Sequence, residues 1–173
     1  AGLTVANRLN HKGYEVTVYE KHELPGGLLR FGIPNFKLSK VVIDRRIRLM
    51  REEGINFVLN TEIGKDIPAK DLVEKYDAVC IAIGAEGPRD LPIEGRDLKG
   101  IYFALELLGQ QNRVLEGIIP QSEDLISAKG KKVLVIGGGD TGSDCVGTCN
   151  RHGAAKITQI EIMPKPPVHD NPQ

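Results

Sequence analysis

The sequence predicts an α/β fold in which a strand–turn–helix unit occurs twice in tandem. Three observations predict it. The run Val133-Leu-Val-Ile-Gly-Gly-Gly-Asp-Thr-Gly-Ser-Asp-Cys145 is an apolar strand leading straight into a complete G-x-G-x-x-G turn. The chain opens on Ala1-Gly2 and a helix-like stretch, then the apolar run Tyr14-Glu-Val-Thr-Val-Tyr-Glu20, which reads as the tail of a second such unit. An acid also closes the next strand at nearly the same distance in both halves: Glu20 follows Gly2 by 18 residues, and Glu161 follows Gly142 by 19. The first strand and first two glycines of the leading unit are expected ahead of Ala1, so both units are expected to be incomplete in this chain.

Each element has its own signal. Leu3, Ala6 and Leu9 repeat at helical spacing, and Gly13 stops that helix. Residues 16–19 are β-branched and apolar, as a buried parallel strand requires. Residues 21–34 are turn-rich. Ser39 is placed to cap a helix over residues 40–53, with Ile43, Ile47 and Met50 on one face and Gly54 at its end. Residues 55–59 read as the next strand, 69–75 as a short helix, and 78–83 as a buried strand ending at Gly84. Residues 87–100 suit an interdomain connection, 102–110 look helical, and 113–130 show no period. Strand, turn and helix then begin again at Lys132, with a helix over 141–151, a strand over 157–161 and a proline-rich tail over 164–173.

Composition bounds the function. Of 173 residues, 40% are hydrophobic, enough for a packed α/β core. The 23 basic and 23 acidic side chains cancel, so bulk charge directs the chain to neither nucleic acid nor a membrane surface. No apolar run is long enough to span a bilayer. The three cysteines, Cys80, Cys145 and Cys149, form no Cys-x-x-Cys pair and fit a reducing cytoplasm, so a soluble cytoplasmic protein is expected. His11, His22, His152 and His169 have no metal-ligand spacing and read as solvated or turn residues. Cys145 and Cys149, four apart on a helix, read as small packing residues, and Asp44-Arg-Arg-Ile-Arg48 as a solvated helix face.

The second unit carries the stronger motif. Gly137 permits the tight turn, Gly139 lets a pyrophosphate approach backbone, and Gly142 lets the helix pack close to the strand. Amides at the helix N-terminus would then receive the phosphates' charge. Glu161 is where an acid would bind the adenosine ribose and favour NADH, while Lys165 is near enough to meet a 2′-phosphate, so NADH and NADPH both stay open. In the first unit Glu20 has the same relation to a strand end. Pro25-Gly26-Gly27 follows it, where a double glycine permits backbone approach to a flat ligand. The run Cys80-Ile-Ala-Ile-Gly84-Ala85 brings another glycine to a strand's carboxyl end. Arg30, between apolar neighbours, is either an anion clamp or a surface arginine. Two redox nucleotides with electron flow between them follow from the pairing.

Several longer runs resemble a known family. Pro25-Gly-Gly-Leu-Leu-Arg-Phe-Gly-Ile-Pro-Asn-Phe-Lys37 and Val42-Ile-Asp-Arg-Arg46 are similar to the flavin-contacting segment of the glutamate synthase small (β) subunit. Pro88-Arg-Asp-Leu-Pro-Ile93, Gln110-Gln-Asn112, Lys129-Gly-Lys-Lys-Val-Leu-Val-Ile-Gly-Gly-Gly-Asp-Thr-Gly-Ser-Asp-Cys-Val-Gly-Thr148, Ile160-Glu-Ile-Met-Pro-Lys-Pro-Pro167 and Asp170-Asn-Pro172 extend the likeness over essentially the whole chain. The resemblance implies tandem Rossmann-like units of glutathione-reductase type. Residues 1–110 would be the N-terminal part of an FAD-binding domain, and 111–173 the start of an inserted NAD(P)-binding domain. It implies an electron-input subunit that oxidises NADPH or NADH at FAD. Electrons then pass through iron–sulfur clusters to a large (α) subunit that makes glutamate from glutamine and 2-oxoglutarate.

By matching position, Gly2, Glu20, Gly26, Gly27, Leu28, Ala82 and Gly84 would contact FAD, and Gly137, Gly139, Asp140, Thr141 and Gly142 the nicotinamide nucleotide. The cysteine-rich cluster region of that family has no counterpart in this chain, which holds no metal ligands of its own. The chain alone is expected to be inactive and to bind flavin weakly or not at all. The alternatives are a related flavoprotein subunit serving a pyrimidine-reducing or electron-bifurcating enzyme, and a nucleotide-binding module without turnover. Hydride transfer asks little acid–base chemistry of protein groups, so no catalytic residue is assigned.

Overall fold

In a computed structural model the chain folds as two compact units, and residues 1–85, 87–122 and 124–164 are described. One unit comprises 1–30 and 35–90, the other 31–34 and 91–173. Lys165, His169 and the Pro166-Pro167 and Asp170-Asn-Pro172 runs lie outside the described residues.

The first unit contains α1 (Gly2–Asn10), β1 (Thr17–Tyr19), most of the four-residue helix α2 (Leu28–Phe31), α3 (Lys40–Glu52), β2 (Asn56–Val58) and α4 (Ala69–Lys75). β1 and β2 pair in parallel, with Thr17 opposite Asn56 and Tyr19 opposite Val58. The apolar stripe of α3 does what its spacing requires: Ile43, Ile47 and Met50 are buried with Ala6 of α1 and Ile55, and Val16, Val18 and Phe57 pack around them. Ser39 occupies the N-cap position but makes no side-chain cap bond. Asn35 satisfies a different amide of the first turn, its Oδ1 accepting the Lys40 N–H at 3.1 Å. Gly54, at φ +99°, ends the helix in a conformation that favours glycine.

Two expectations for this unit are corrected. β1 is half-buried rather than buried, because among the described residues its sheet has two strands. Residues 78–83 form no strand and are exposed, including Ile81 and Ile83. Apolar, β-branched sequence is a capacity for pairing; among the described residues no strand lies alongside 78–83 to supply a ladder.

The second unit contains α5 (Ala104–Leu115), β3 (Lys132–Ile136), α6 (Asp140–Arg151) and β4 (Lys156–Ile160). β3 and β4 are parallel, Val133 opposite Ile157 and Val135 opposite Gln159. α5 and α6 cover one face: Leu108, Val135 and Cys145 pack together, as do Leu107, Ala128 and Cys149. Leu134 and Ile136, on the alternate positions of β3, are exposed.

The aperiodic stretch before β3 is held by side chains of α5. Gln110 brackets the backbone of Ile126, donating to its carbonyl and accepting its N–H, both at 2.9 Å. Gln111 Oε1 meets His152 Nε2 at 2.8 Å, and buried Asn112 donates to the Ile33 carbonyl at 3.1 Å. His152 is thus a turn residue, at the end of α6, and half-buried rather than solvated. Its Nδ1 accepts the Ala128 N–H, which leaves Nε2 as the protonated nitrogen facing Gln111, and burial lowers its pKa in favour of this neutral form.

Candidate functional site

The second unit builds its turn from backbone. β3 ends at Ile136, and Gly137 reverses the chain at φ +114°, where a side chain would strain the backbone. Its N–H donates to the Ile160 carbonyl at 2.9 Å, and its own carbonyl accepts from Gln159 Nε2 at 2.8 Å. Gly142 then lies so close that a Cβ there would overlap the Gly137 carbonyl oxygen and stand 2.9 Å from Gln159 Nε2. That is the close strand–helix packing the third glycine of the motif is needed for. Gly139 caps α6 in an extended conformation, and nothing lies within 4 Å of where its Cβ would be. Gly138, Gly139, Asp140 and Thr141 are all exposed at the start of a twelve-residue helix, whose first amides have no partner within the helix.

Glu161 joins this turn directly. Its Oε2 accepts the Gly138 N–H, and its Oε1 accepts those of Ile162 at 2.6 Å and Met163 at 3.1 Å. The Met163, Gly138 and Ile162 amides together hold the carboxyl below its usual range. Its bonds are therefore present above the ordinary carboxyl value and are lost as pH falls through the lower folded one. A Cβ on Gly138 would stand 2.5 Å from Glu161 Oε2, so glycine at this position leaves room for the acid. Gln159 carries no sequence signal, being a polar residue on an exposed strand position.

The first unit gathers its own set. Gly2 begins α1, and a Cβ there would meet the Ala82 Cβ at 3.1 Å, so these two positions are neighbours. Glu20, just past β1, bonds through its N–H to the Val58 carbonyl, while its Oε1 accepts the His22 N–H at 3.0 Å. Gly26 and Gly27 take φ +135° and +54°, and Gly84 takes +72°; around Gly27 and Gly84 a Cβ would meet nothing within 4 Å. Leu28 is exposed. Arg30 is not a surface arginine: it is 1% exposed, with Nε donating to the Pro25 carbonyl at 2.8 Å and Nη2 to Asp44 Oδ1 at 2.5 Å. Asp44 therefore departs from the simple solvated face expected of residues 44–48, whereas Arg45 and Arg48 remain exposed.

Neither cysteine of α6 is chemically forward. Burial pushes the Cys145 thiol up to about 11 and raises that of Cys149, whereas Cys80 is exposed. Iodoacetamide at pH 8 is expected to alkylate Cys80 in the native chain and spare Cys145 and Cys149 until denaturant is added, as mass spectrometry of the peptides will show. Among the described residues no group of three His, Cys, Asp or Glu side chains could hold a metal ion, and no helix is long and apolar enough to cross a membrane.

Two parallel strand–helix–strand units, one with a complete glycine turn between strand and helix, define an α/β protein of the dinucleotide-binding kind of fold. The chain belongs to the pyridine nucleotide-disulphide oxidoreductase family, whose description matches residues 1–172. It is 52% identical over 177 aligned residues to glutamate synthase [NADH] of Saccharomyces cerevisiae, covering 99% of this chain and 8% of the yeast protein. It is 51% identical over 170 residues to the glutamate synthase [NADPH] small chain of Mycobacterium tuberculosis, covering 96% of this chain and 35% of that protein. The chain thus spans a minor part of the relatives it matches. Among solved structures, M. tuberculosis FprA in complex with NADPH superimposes with a TM-score of 0.70 at 22% identity, covering 91% of this chain and 40% of FprA. That likeness supports the fold.

Proposed function

We propose that this chain is part of the electron-input flavoprotein of a glutamate synthase, taking reducing equivalents from NADH or NADPH and passing them through FAD toward glutamate formation. The observation that carries the reading is identity above 50% to glutamate synthases over nearly the whole chain, and so across both units. In this reading residues 1–110 belong to the FAD-binding domain and 111–173 open the NAD(P)-binding domain. The cluster-bearing region, the glutamate-forming large (α) subunit or domain and the cytoplasmic setting belong to the whole protein. FAD, when bound, accepts a hydride and releases electrons singly; the protein's part is to bind and orient.

The residues fit those groups. Gly139, Asp140 and Thr141 are exposed at a helix N-terminus, where pyrophosphate charge is favoured, and Gly137 and Gly142 shape the turn that leads into it. Gly2, Glu20, Gly26, Gly27, Leu28, Ala82 and Gly84 form the corresponding flavin set, with Gly2 and Ala82 adjacent and the second glycine of the pair, Gly27, open to a flat ligand. The test is oxidation of NADH and NADPH by the full-length protein with an artificial acceptor. Addition of glutamine, 2-oxoglutarate and the large subunit follows. NAD(P)H oxidation without glutamate would favour a related flavoprotein with another partner. No oxidation at all would leave only a binding module.

The relatives carry both NADH and NADPH in their names, so overall identity does not choose between the two. Glu161 bears on the choice, because three amides keep it ionised beside the turn and a 2′-phosphate would meet its charge. Glu161→Ala is expected to shift the NADPH-to-NADH ratio of kcat/KM by about tenfold toward NADPH, since like charges in contact are costly. An unchanged ratio would remove Glu161 from the nucleotide site.

A further inference from the structure

Arg30 meets three features of the flavin-side loop at once. Its Nε holds the Pro25 carbonyl, the residue immediately before the double glycine, and its Nη2 reaches Asp44 on α3. Its backbone N–H closes the turn onto the Gly27 carbonyl at 3.1 Å. The side chain also fills the space beside Gly26, where a Cβ would stand 3.1 Å from the Arg30 Cβ and 3.4 Å from Ile43 Cγ2. A second cation acts on the same segment: buried Lys40, first residue of α3, donates from Nζ to the Leu29 carbonyl at 2.9 Å. The loop from 25 to 30 is thereby tied to α3 through Leu29 and Arg30, and its start at Pro25 is held by the Arg30 side chain.

Gly26 and Gly27 occupy left-handed backbone that has no side chain to stabilise it and many alternatives in a free loop. Such a loop binds a flat ligand well only if its conformation is fixed beforehand, because ordering it on binding subtracts from affinity. A planar guanidinium with a carbonyl on one edge and a carboxylate on another suits that task, since Arg presents donors in a rigid fork.

We propose that Arg30 and Asp44 form a latch that pre-sets the Gly26–Gly27 backbone for the flavin, making Arg30 a positioning residue rather than an anion contact; this rests on the flavin reading above. Asp44 is 58% exposed on its side chain, so Asp44→Asn opens no cavity and acts through the bond to buried Arg30.

The two roles for Arg30 predict opposite signs. If its guanidinium served a flavin phosphate, Asp44→Asn would free positive charge and leave FAD binding equal or tighter. If it is a latch, Asp44→Asn loosens the loop and weakens binding. The experiment is FAD titration of the deflavinated full-length protein, followed by flavin absorption and visible circular dichroism. We expect Asp44→Asn to raise the FAD dissociation constant about tenfold and to blur the flavin's vibronic shoulders. Asp44→Glu should restore most of both, and Arg30→Lys should resemble Asp44→Asn. NAD(P)H binding at the Gly137 turn serves as the internal control and should stay unchanged. An Asp44→Asn protein that binds FAD within twofold of wild type, or more tightly, overturns the latch while leaving the flavin reading intact. Wild-type protein that takes up no FAD overturns the flavin reading and the latch with it.

Discussion

Gly142→Val is expected to break the phosphate turn of the second unit, with loss of NAD(P)H binding and a stability decrease of about 3 kcal/mol or more, the upper range for overpacking. A Cβ at this position overlaps the Gly137 carbonyl oxygen and stands 3.0 Å from the Gly137 carbonyl carbon. Those atoms cannot easily retreat. The Gly137 N–H is bonded to Ile160, its carbonyl is bonded to Gln159, and both partners belong to β4. Valine adds two methyl groups to that overlap, so α6 must move away from β3 or the turn must open. Gly139→Ala is the control: its backbone is extended and its surroundings are empty, so folding should persist while nucleotide approach suffers. Urea unfolding and NADH titration of the full-length variants separate the two effects. Unchanged midpoint and affinity in Gly142→Val would refute the close-packing argument.

Met50→Ala is expected to destabilise the first unit by about 2–5 kcal/mol, the range for truncating a buried Met or Leu. Met50 is 1% exposed and lies among Ala6, Ile43, Ile47 and Ile55, which come from α1, α3 and the residue before β2. The cavity left behind would be lined by side chains on three segments, none of which can close it alone. Val41, on the same helix but 72% exposed, supplies the comparison, and Val41→Ala should change stability by no more than about 0.5 kcal/mol. Denaturant unfolding followed by far-ultraviolet circular dichroism reads both. Equal effects at the two positions would mean that the face of α3 turned toward the core has been misassigned.

These two helices also show what was legible beforehand. The 3.6-residue spacing of Ile43, Ile47 and Met50 identified the buried face of α3, and glycine at 54 marked its end, because both follow from local geometry. The G-x-G-x-x-G turn was legible for the same reason: each glycine answers a steric demand that any strand–turn–helix imposes. Residues 78–83 were misread because pairing is a property of two segments, and a single run cannot show whether a partner lies beside it. Ser39 holds the N-cap position that its place in the sequence predicts, but the side-chain bond at the start of α3 comes from Asn35, five residues before the Lys40 amide it accepts.

The bonds of Arg30 to Pro25 and Asp44, of Gln110 to Ile126 and of Glu161 to Gly138 could not be read from spacing. Each joins a side chain to a group 5 to 23 residues distant. The sequence by itself determined the order of elements, the complete second turn, the acids at 20 and 161 and the family, all of which are encoded within short runs by backbone sterics and side-chain periodicity. Tertiary structure alone decided what those residues touch: Arg30 is an interior tie rather than an exposed cation, and the Glu161 carboxylate is seated on the turn. Side-chain partners are chosen by chain segments meeting in space, and that choice is made only when each unit folds.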